Sequence, residues 1–281
     1  MGLPEHDASR ERRSPPLRGV IFDVDGTLAE TEAQGHLPAF NRAFAKAGLA
    51  WRWSEDRYAE LLEVTGGFER ILADMATRAD APVNPEQRRS LARELHQAKN
   101  GFYVDDVAQA RLPARPGVLR LINECRAAGL SLGIATTTSR VNALALLAAL
   151  FGPQGTDLFD TIICAEEAPR KKPDPLAYTM ALTAMNCPAD AAIAIEDSPN
   201  GLFAAHAAGL ATVVTPSRFF PDGRGGFEMA SLIVADLDSP VQIDGQSFAN
   251  ITPAALAAVL ARAAGRAGLP SATARTAAPG R

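Results

Sequence analysis

The sequence predicts an α/β protein: a Rossmann-like, mostly parallel sheet core with an all-helical cap domain inserted into it. Three observations carry this expectation. Short, unbroken apolar runs recur along the chain, as in strands buried on both faces. Helical segments separate those runs, and strand–helix alternation builds parallel sheets with right-handed crossovers. One long interval, residues 31–112, has helical patterning and no buried-strand run.

The elements follow in order. Residues 1–17 hold Pro4, Pro15, Pro16 and several charges without apolar periodicity, and read as a disordered leader. Val20-Ile21-Phe22 is the first strand and runs into Asp23. The cap comes next, with helices over 37–47, 54–62, 68–79 and 85–104. Leu112-Pro113-Ala114-Arg115-Pro116-Gly117 re-joins the core and, with residues 29–31, makes a pair of hinges for cap closure. Val118, Leu119, Ile122 and Cys125 form one helical stripe, which Gly129 ends. Strands over 132–135, 161–165, 192–195, 211–214 and 232–235 alternate with helices over 141–150, 175–185 and 199–208. The last two helices open on proline, which a first turn tolerates. A helix over 253–264 precedes an Ala-, Gly- and Arg-rich tail. The expected organisation is a leader (1–17), an α/β core (18–30 and 113–245), a helical cap (31–112), and a C-terminal helix with a flexible tail (246–281).

The 281 residues carry 28 Lys and Arg against 32 Asp and Glu, a net charge of -4. That balance argues against a body built to hold nucleic acid, which needs a basic excess. No run approaches the ~20 apolar residues of a membrane span. Cys125, Cys164 and Cys187 are scattered without C-x-x-C spacing, so neither a disulfide framework nor a zinc site is indicated. The N-terminus lacks the apolar stretch of a secretory signal. A cytoplasmic monomer is expected.

In open α/β sheets ligands gather at the carboxyl ends of the strands. Here those ends carry Asp23 and Asp25, Thr136 and Thr137, Lys171 and Lys172, and Glu196 and Asp197. Packing needs no acids there. Clustered carboxylates repel unless a cation neutralises them, and an all-oxygen set suits Mg2+, which also takes a substrate phosphate. Positive charge from the metal and a lysine beside a phosphate monoester lets a carboxylate attack phosphorus. A second carboxyl two residues on, Asp25, can protonate the leaving oxygen and then activate water. Charge counting makes Asp25 the neutral member when substrate arrives. Of the two lysines, Lys171 is expected to be solvated.

These residues resemble a known family. Asp23-Val24-Asp25-Gly26-Thr27-Leu28, Thr136, Lys172-Pro173-Asp174-Pro175 and Glu196-Asp197-Ser198 are similar to the four motifs of the haloacid dehalogenase superfamily of phosphatases, over roughly 17–238. The resemblance implies that Asp23 is the nucleophile, Asp25 the general acid/base, Thr136 a phosphoryl contact and Lys172 the bridge between nucleophile and phosphate. It implies Mg2+ on the Asp23 carboxylate, the Asp25 carbonyl and Asp197, with Glu196 nearby or through water. Glu30-Thr31-Glu32, His36, Thr65-Gly66-Gly67-Phe68-Glu69-Arg70-Ile71, Thr136-Thr137-Thr138-Ser139 with Asn142, and Ala204-Ala205-His206 look like the CbbY-type branch, close to the β-phosphoglucomutases. Members of that branch are similar to phosphatases of sugar bisphosphates, notably xylulose-1,5-bisphosphate. Two positions depart from the branch: Phe68 stands where members carry Lys, and Leu37 where they carry Arg. Both remove positive charge that a second phosphate would want, and Arg70, Arg42 and Arg57 are the possible replacements.

The substrate-binding candidates are Glu32, His36, Gly66, Gly67, Arg70, Thr137 and Asn142. Each has a plainer reading. His36 is either a first-turn histidine or a group facing Asp25 or the sugar. Gly66-Gly67 is either a turn or a loop offering amides. Arg70 is either a surface arginine or a substrate contact. Trp51 and Trp53 read as core packing, His96 and His206 as structural, and Ser198 as the cap of the following helix. The function expected is a Mg2+-dependent phosphatase of a small sugar phosphate or bisphosphate. The alternatives are a β-phosphoglucomutase-type phosphomutase, and a catalytically silent sugar-phosphate-binding protein.

Overall fold

The computed structural model describes residues 16–110, 112–221 and 226–267. The bulk of the expected leader and of the expected C-terminal tail lie outside the described residues. Leu17, assigned to the leader, instead packs against the main core.

Among the described residues, six parallel strands form one sheet: β1 (Gly19–Phe22), β2 (Ser131–Ala135), β3 (Thr161–Ile163), β4 (Ala192–Glu196), β5 (Ala211–Val214) and β6 (Leu232–Ile233). Their order is β3-β2-β1-β4-β5-β6. The central strand pairs Phe22 with Ile134 on one side and Ile195 on the other. The carboxyl ends of β1, β2 and β4 are therefore level, and the order reverses beside β1, where such sheets bind ligands. Val20, Phe22, Ile134, Ile195 and Val213 fill one face of the sheet. Ile21, Ala135 and Ala194 fill the other, as strand alternation requires.

Between β1 and β2 the chain is helical: α1 (Leu37–Lys46), α2 (Glu55–Leu61), α3 (Gly67–Ala76) and α4 (Pro85–Ala110). Phe40, Phe44, Trp51, Trp53, Tyr58, Ile71, Met75 and Leu95 give this insertion its own core. Trp53 Nε1 donates to Asp74 at 2.7 Å, so its one polar atom is satisfied indoors. A π-helical turn, Glu32–His36, precedes α1, where the sequence reading began the helix at 37. The last helix, α4, runs six residues past its expected end. Asn84 caps it by accepting from the amides of Glu86 and Gln87. Its buried stripe, Ala92, Leu95, Lys99, Tyr103 and Val107, is spaced by threes and fours and continues beyond 104.

The sheet is then covered by α5 (Val118–Ala127), α6 (Arg140–Phe151), α7 (Leu176–Ala184) and α8 (Pro199–Ala207). An antiparallel hairpin of β7 (Val241–Ile243) and β8 (Gln246–Phe248) straddles the boundary expected at 245, and α9 (Pro253–Ala267) follows. The hairpin has no apolar run to announce it. Asp244 and Gly245 both take positive φ, which suits its two-residue turn.

Candidate active site

The ends of β1, β2 and β4 and the loop before α7 deliver the pieces of the site. The Asp23 amide donates to Ile195 O at 3.0 Å, which extends the β1–β4 pairing and fixes the Asp23 backbone. Lys172, in the loop before α7, donates through Nζ to Asp23 Oδ1 and to Glu196 Oε1, both at 2.6 Å. Tyr178 of α7 donates to the same Glu196 oxygen at 2.5 Å. Glu196 Oε2 accepts from Ser198 Oγ at 3.4 Å and from the Asp197 amide at 3.2 Å. Ser198 caps α8 by accepting from the Gly201 amide at 3.2 Å, as the sequence reading held. Two glycines make room for the acids. A Cβ at Gly201 would collide with the Glu196 carboxylate, and one at Gly26 would lie 2.7 Å from Asp197 Cγ. Gly26 also takes φ +82, a conformation in which a side chain is strained.

The charge balance calls for a cation. Ligand oxygens of Asp23, Glu196 and Asp197 lie within 4.8 Å of one another, all buried. Lys172 is the lysine placed among them. Burial pushes Asp23 up to about 7, with Lys172 opposing and Glu196 adding to the rise. Burial, then Asp23 and Glu196, raises Asp197 well above the carboxylate range. Burial alone would lower Lys172, but Asp23 and Glu196 outweigh it and hold the ammonium above its ordinary value. Three crowded carboxylates against one lysine, all oxygen donors, fit a hard divalent ion such as Mg2+.

Asp25 faces the insertion. His36 Nε2 lies 2.9 Å from Asp25 Oδ1, and Thr31 Oγ1 donates to the same oxygen at 2.5 Å. The His36 ring stacks on Tyr103 with centroids 4.1 Å apart. Burial alone would raise Asp25, but His36, Thr31 and Lys99 together hold it well below the usual carboxylate range. The expectation of a neutral Asp25 concerns the substrate-bound site; without substrate, His36, Thr31 and Lys99 favour its carboxylate form.

Two adjoining cavities, about 130 and 70 Å3, occupy the space between sheet and insertion. Asp23, Asp25, Glu32, Arg70, Thr136, Thr137, Lys172 and Asp197 line the smaller. His36, Gly66, Gly67 and Asn142 join Asp25, Glu32, Arg70 and Thr137 around the larger. Every predicted site residue except Glu196 lines one of them, and Glu196 lies beneath, holding Lys172. Asn142 donates to Asn100 Oδ1 at 2.9 Å and leaves its own buried oxygen unpaired. Arg70 donates to Tyr58 OH at 2.9 Å and to Leu61 O, with Glu32 4.0 Å away.

Two readings are corrected by these positions. Arg42 pairs with Asp106 on the outside of the insertion, and Arg57 pairs with Asp74 and Glu60, so neither replaces the missing cap charge. Lys171 is half-buried and donates to Ala165 O at 2.6 Å and Ala168 O at 3.2 Å, beside the larger cavity. His96 lines that cavity too, and burial, then Lys99, lowers it to about 4, so it is neutral. One cavity residue outside the sequence-predicted site set is Lys99. It is 3% exposed, lines the cavity, and lies over the rings of Phe40 and Tyr103. Burial lowers it to about 7, with Asp25 and Glu32 opposing. The available signal was a lysine standing in the apolar stripe of α4.

The family model for haloacid dehalogenase-like hydrolases matches residues 17–209. Protein CbbY of Rhodobacter capsulatus is 44% identical over 203 residues, covering 72% of this chain and 87% of that one. Validoxylamine A 7'-phosphate phosphatase of Streptomyces hygroscopicus subsp. limoneus is 27% identical over 197 residues, covering 68% and 82%. Among solved structures, CbbY of Rhodobacter sphaeroides in complex with xylulose-(1,5)bisphosphate superimposes with a TM-score of 0.73 at 38% identity, covering 78% of this chain and 94% of that chain.

Proposed function

Because this chain belongs to the haloacid dehalogenase-like hydrolases, in their CbbY-like phosphatase branch, we propose that it removes phosphate from a small phosphorylated sugar through an aspartyl-phosphate intermediate. The observation that carries the reading is Lys172 bridging Asp23 and Glu196 at 2.6 Å at the floor of a small cavity lined by Asp23, Asp25, Thr136 and Asp197.

Lys172 engages Asp23 Oδ1, which leaves Oδ2 for attack on phosphorus. Lys172 and Thr136 meet the phosphoryl oxygens. Asp23, Asp197 and the Asp25 carbonyl would hold Mg2+, with Glu196 behind them. Bound there, the ion neutralises the carboxylates and the phosphoryl charge. As the phosphorus–sugar oxygen bond breaks, Asp25 passes a proton to the leaving oxygen, and His36 at 2.9 Å is the neighbouring proton source. The resulting Asp25 carboxylate then takes a proton from water as that water attacks phosphorus, the Asp23–phosphorus bond breaks, and phosphate leaves. Glu32, Arg70, Lys99 and Asn142 present charges and one unpaired buried oxygen to the sugar hydroxyls and any second phosphate. Xylulose-1,5-bisphosphate, the ligand of the Rhodobacter sphaeroides protein, is the first substrate to try. Arg70 and Lys99 supply the charge that Phe68 and Leu37 do not.

The test is phosphate release from sugar mono- and bisphosphates with and without Mg2+, ranked by kcat/KM. Release should need Mg2+ and vanish in Asp23→Asn. No release from any ester would refute the reading, and glucose 6-phosphate formed from β-glucose 1-phosphate in place of free phosphate would replace it with a mutase.

A further inference from the structure

The loop that carries Asp25 is held by a side chain from far along the sequence. Arg115 belongs to the segment that returns the chain from α4 to α5, yet its side chain is only 9% exposed. Its Nη1 donates to the carbonyl of Gly26, to Thr215 O at 2.8 Å and to Thr215 Oγ1 at 3.3 Å. Its Nη2 donates to Pro216 O at 2.9 Å and Ala235 O at 3.4 Å. Its Nε lies 3.4 Å from Glu30 Oε1, and its amide donates to Leu28 O at 2.8 Å. One planar guanidinium thus joins the loop after β1, the loop after β5 and the end of β6. An ammonium, with three donors on a point charge, cannot reproduce that fork.

What Arg115 grips matters to the site. Gly26 follows Asp25, and its Cα abuts the Asp197 carboxylate so closely that no Cβ fits. Ser217, in the second gripped loop, is the next neighbour of that missing Cβ, at 3.1 Å. A shift of the Gly26 backbone therefore moves Asp25 directly and Asp197 by contact.

We propose that Arg115 is a positioning residue of the phosphatase site: it clamps the Asp25–Gly26 loop to the loop after β5 and so sets how Asp25 and Asp197 stand to one another. Both chain crossings between the sheet and the helical insertion, at Glu30 and at Arg115, pass through this one cation. Movement of the insertion then leaves the Asp25 loop in place. Only the kinetic arm of the test rests on the function proposed above.

Arg115→Lys and Arg115→Met in the full chain test it by three measurements: Mg2+ affinity by calorimetry, hydrogen exchange of residues 24–30 and 213–219, and kcat and KM on p-nitrophenyl phosphate. Arg115→Lys should keep the exchange protection of β1, β2 and β4 while both loops exchange faster. Its Mg2+ affinity and kcat should each fall by ~10–100-fold, with KM little changed, and Arg115→Met should fall further. The proposal is overturned if Arg115→Lys binds Mg2+ like the parent with both loops equally protected. It is also overturned if protection drops evenly along the whole chain, the mark of a general stability role. Should Arg115→Met fail to fold, Arg115→Lys alone decides. If the parent itself releases no phosphate, the phosphatase mechanism falls, and Mg2+ affinity and exchange still judge the clamp.

Discussion

Gly201 sits in the first turns of α8, where helix propensity favours alanine by about 1 kcal/mol. The structure reverses that preference. A Cβ there would come well under 3.0 Å from all three atoms of the Glu196 carboxylate. Glu196 has nowhere to go: it is 0% exposed and held by Lys172, Tyr178, Ser198 and the Asp197 amide. Overpacking a tight interior costs about 1–3 kcal/mol. Wrenching one partner out of a buried ion pair costs up to about 3–5 kcal/mol. Gly201→Ala should therefore lose a net of about 2–4 kcal/mol, after the helix gain is deducted. Because Lys172 would follow Glu196 and leave Asp23, kcat should fall by roughly 100-fold as well. Thermal and denaturant midpoints, read beside phosphate release, measure both effects. A Gly201→Ala protein that melts higher than the parent and keeps its kcat would refute this account of the buried pair.

Three further outcomes are expected. Lys99, lowered to about 7 by burial, carries its charge below that pH and loses it as pH rises through it, so kcat/KM should decline on that limb. Lys99→Arg should flatten the limb, and Lys99→Met should cost about 1.5–3 kcal/mol of binding at pH 6, measured as kcat/KM across pH. His36→Phe, which keeps a ring against Tyr103 but removes the Asp25 partner, should lower kcat by about 100-fold with Mg2+ binding intact by calorimetry. Asp74, buried and held below its ordinary 3.8 by Trp53, Arg57 and Arg78 against the opposing effect of burial, stabilises the insertion at neutral pH. A carboxyl lowered on folding gives stability that is complete above its unfolded value and is lost as pH falls through the folded one. Asp74→Asn should therefore cost about 1–3 kcal/mol at pH 7 and progressively less below pH 4, by denaturant melts.

The central strands were legible because they are buried on both faces and so read as unbroken apolar runs, each leading to a polar residue. Reading those endings together brought Asp23, Lys172, Glu196 and Asp197 to one edge, where the structure has them. The helical insertion was legible as an interval without such runs. Other features depended on partners that no local pattern names. Lys99 looks like any mid-helix lysine until the stripe from Ala92 to Val107 is drawn through it. His36 and Thr31, which favour the carboxylate form of Asp25, stand outside a count of Asp23, Glu196, Asp197, Lys172 and metal. Arg42 and Arg57 were read for their charge alone, yet Asp106 and Asp74 hold them elsewhere. The hairpin at 241–248 was missed because its strands are short and half polar.

The final helix has a bearing on how much of the chain catalysis needs. The family match stops at residue 209, but the interior of the sheet does not. Ile251, Leu256, Val259 and Leu260 pack against the same face as Phe22 and Ile195, all but sealed from water. At about 1.5–3 kcal/mol for each such side chain, they contribute on the order of 6–12 kcal/mol. A typical domain has only ~5–15 kcal/mol in all. A chain ended at residue 245 would leave the β4–β5 part of that face wet, and the strand that presents Glu196 and Asp197 would lose its backing.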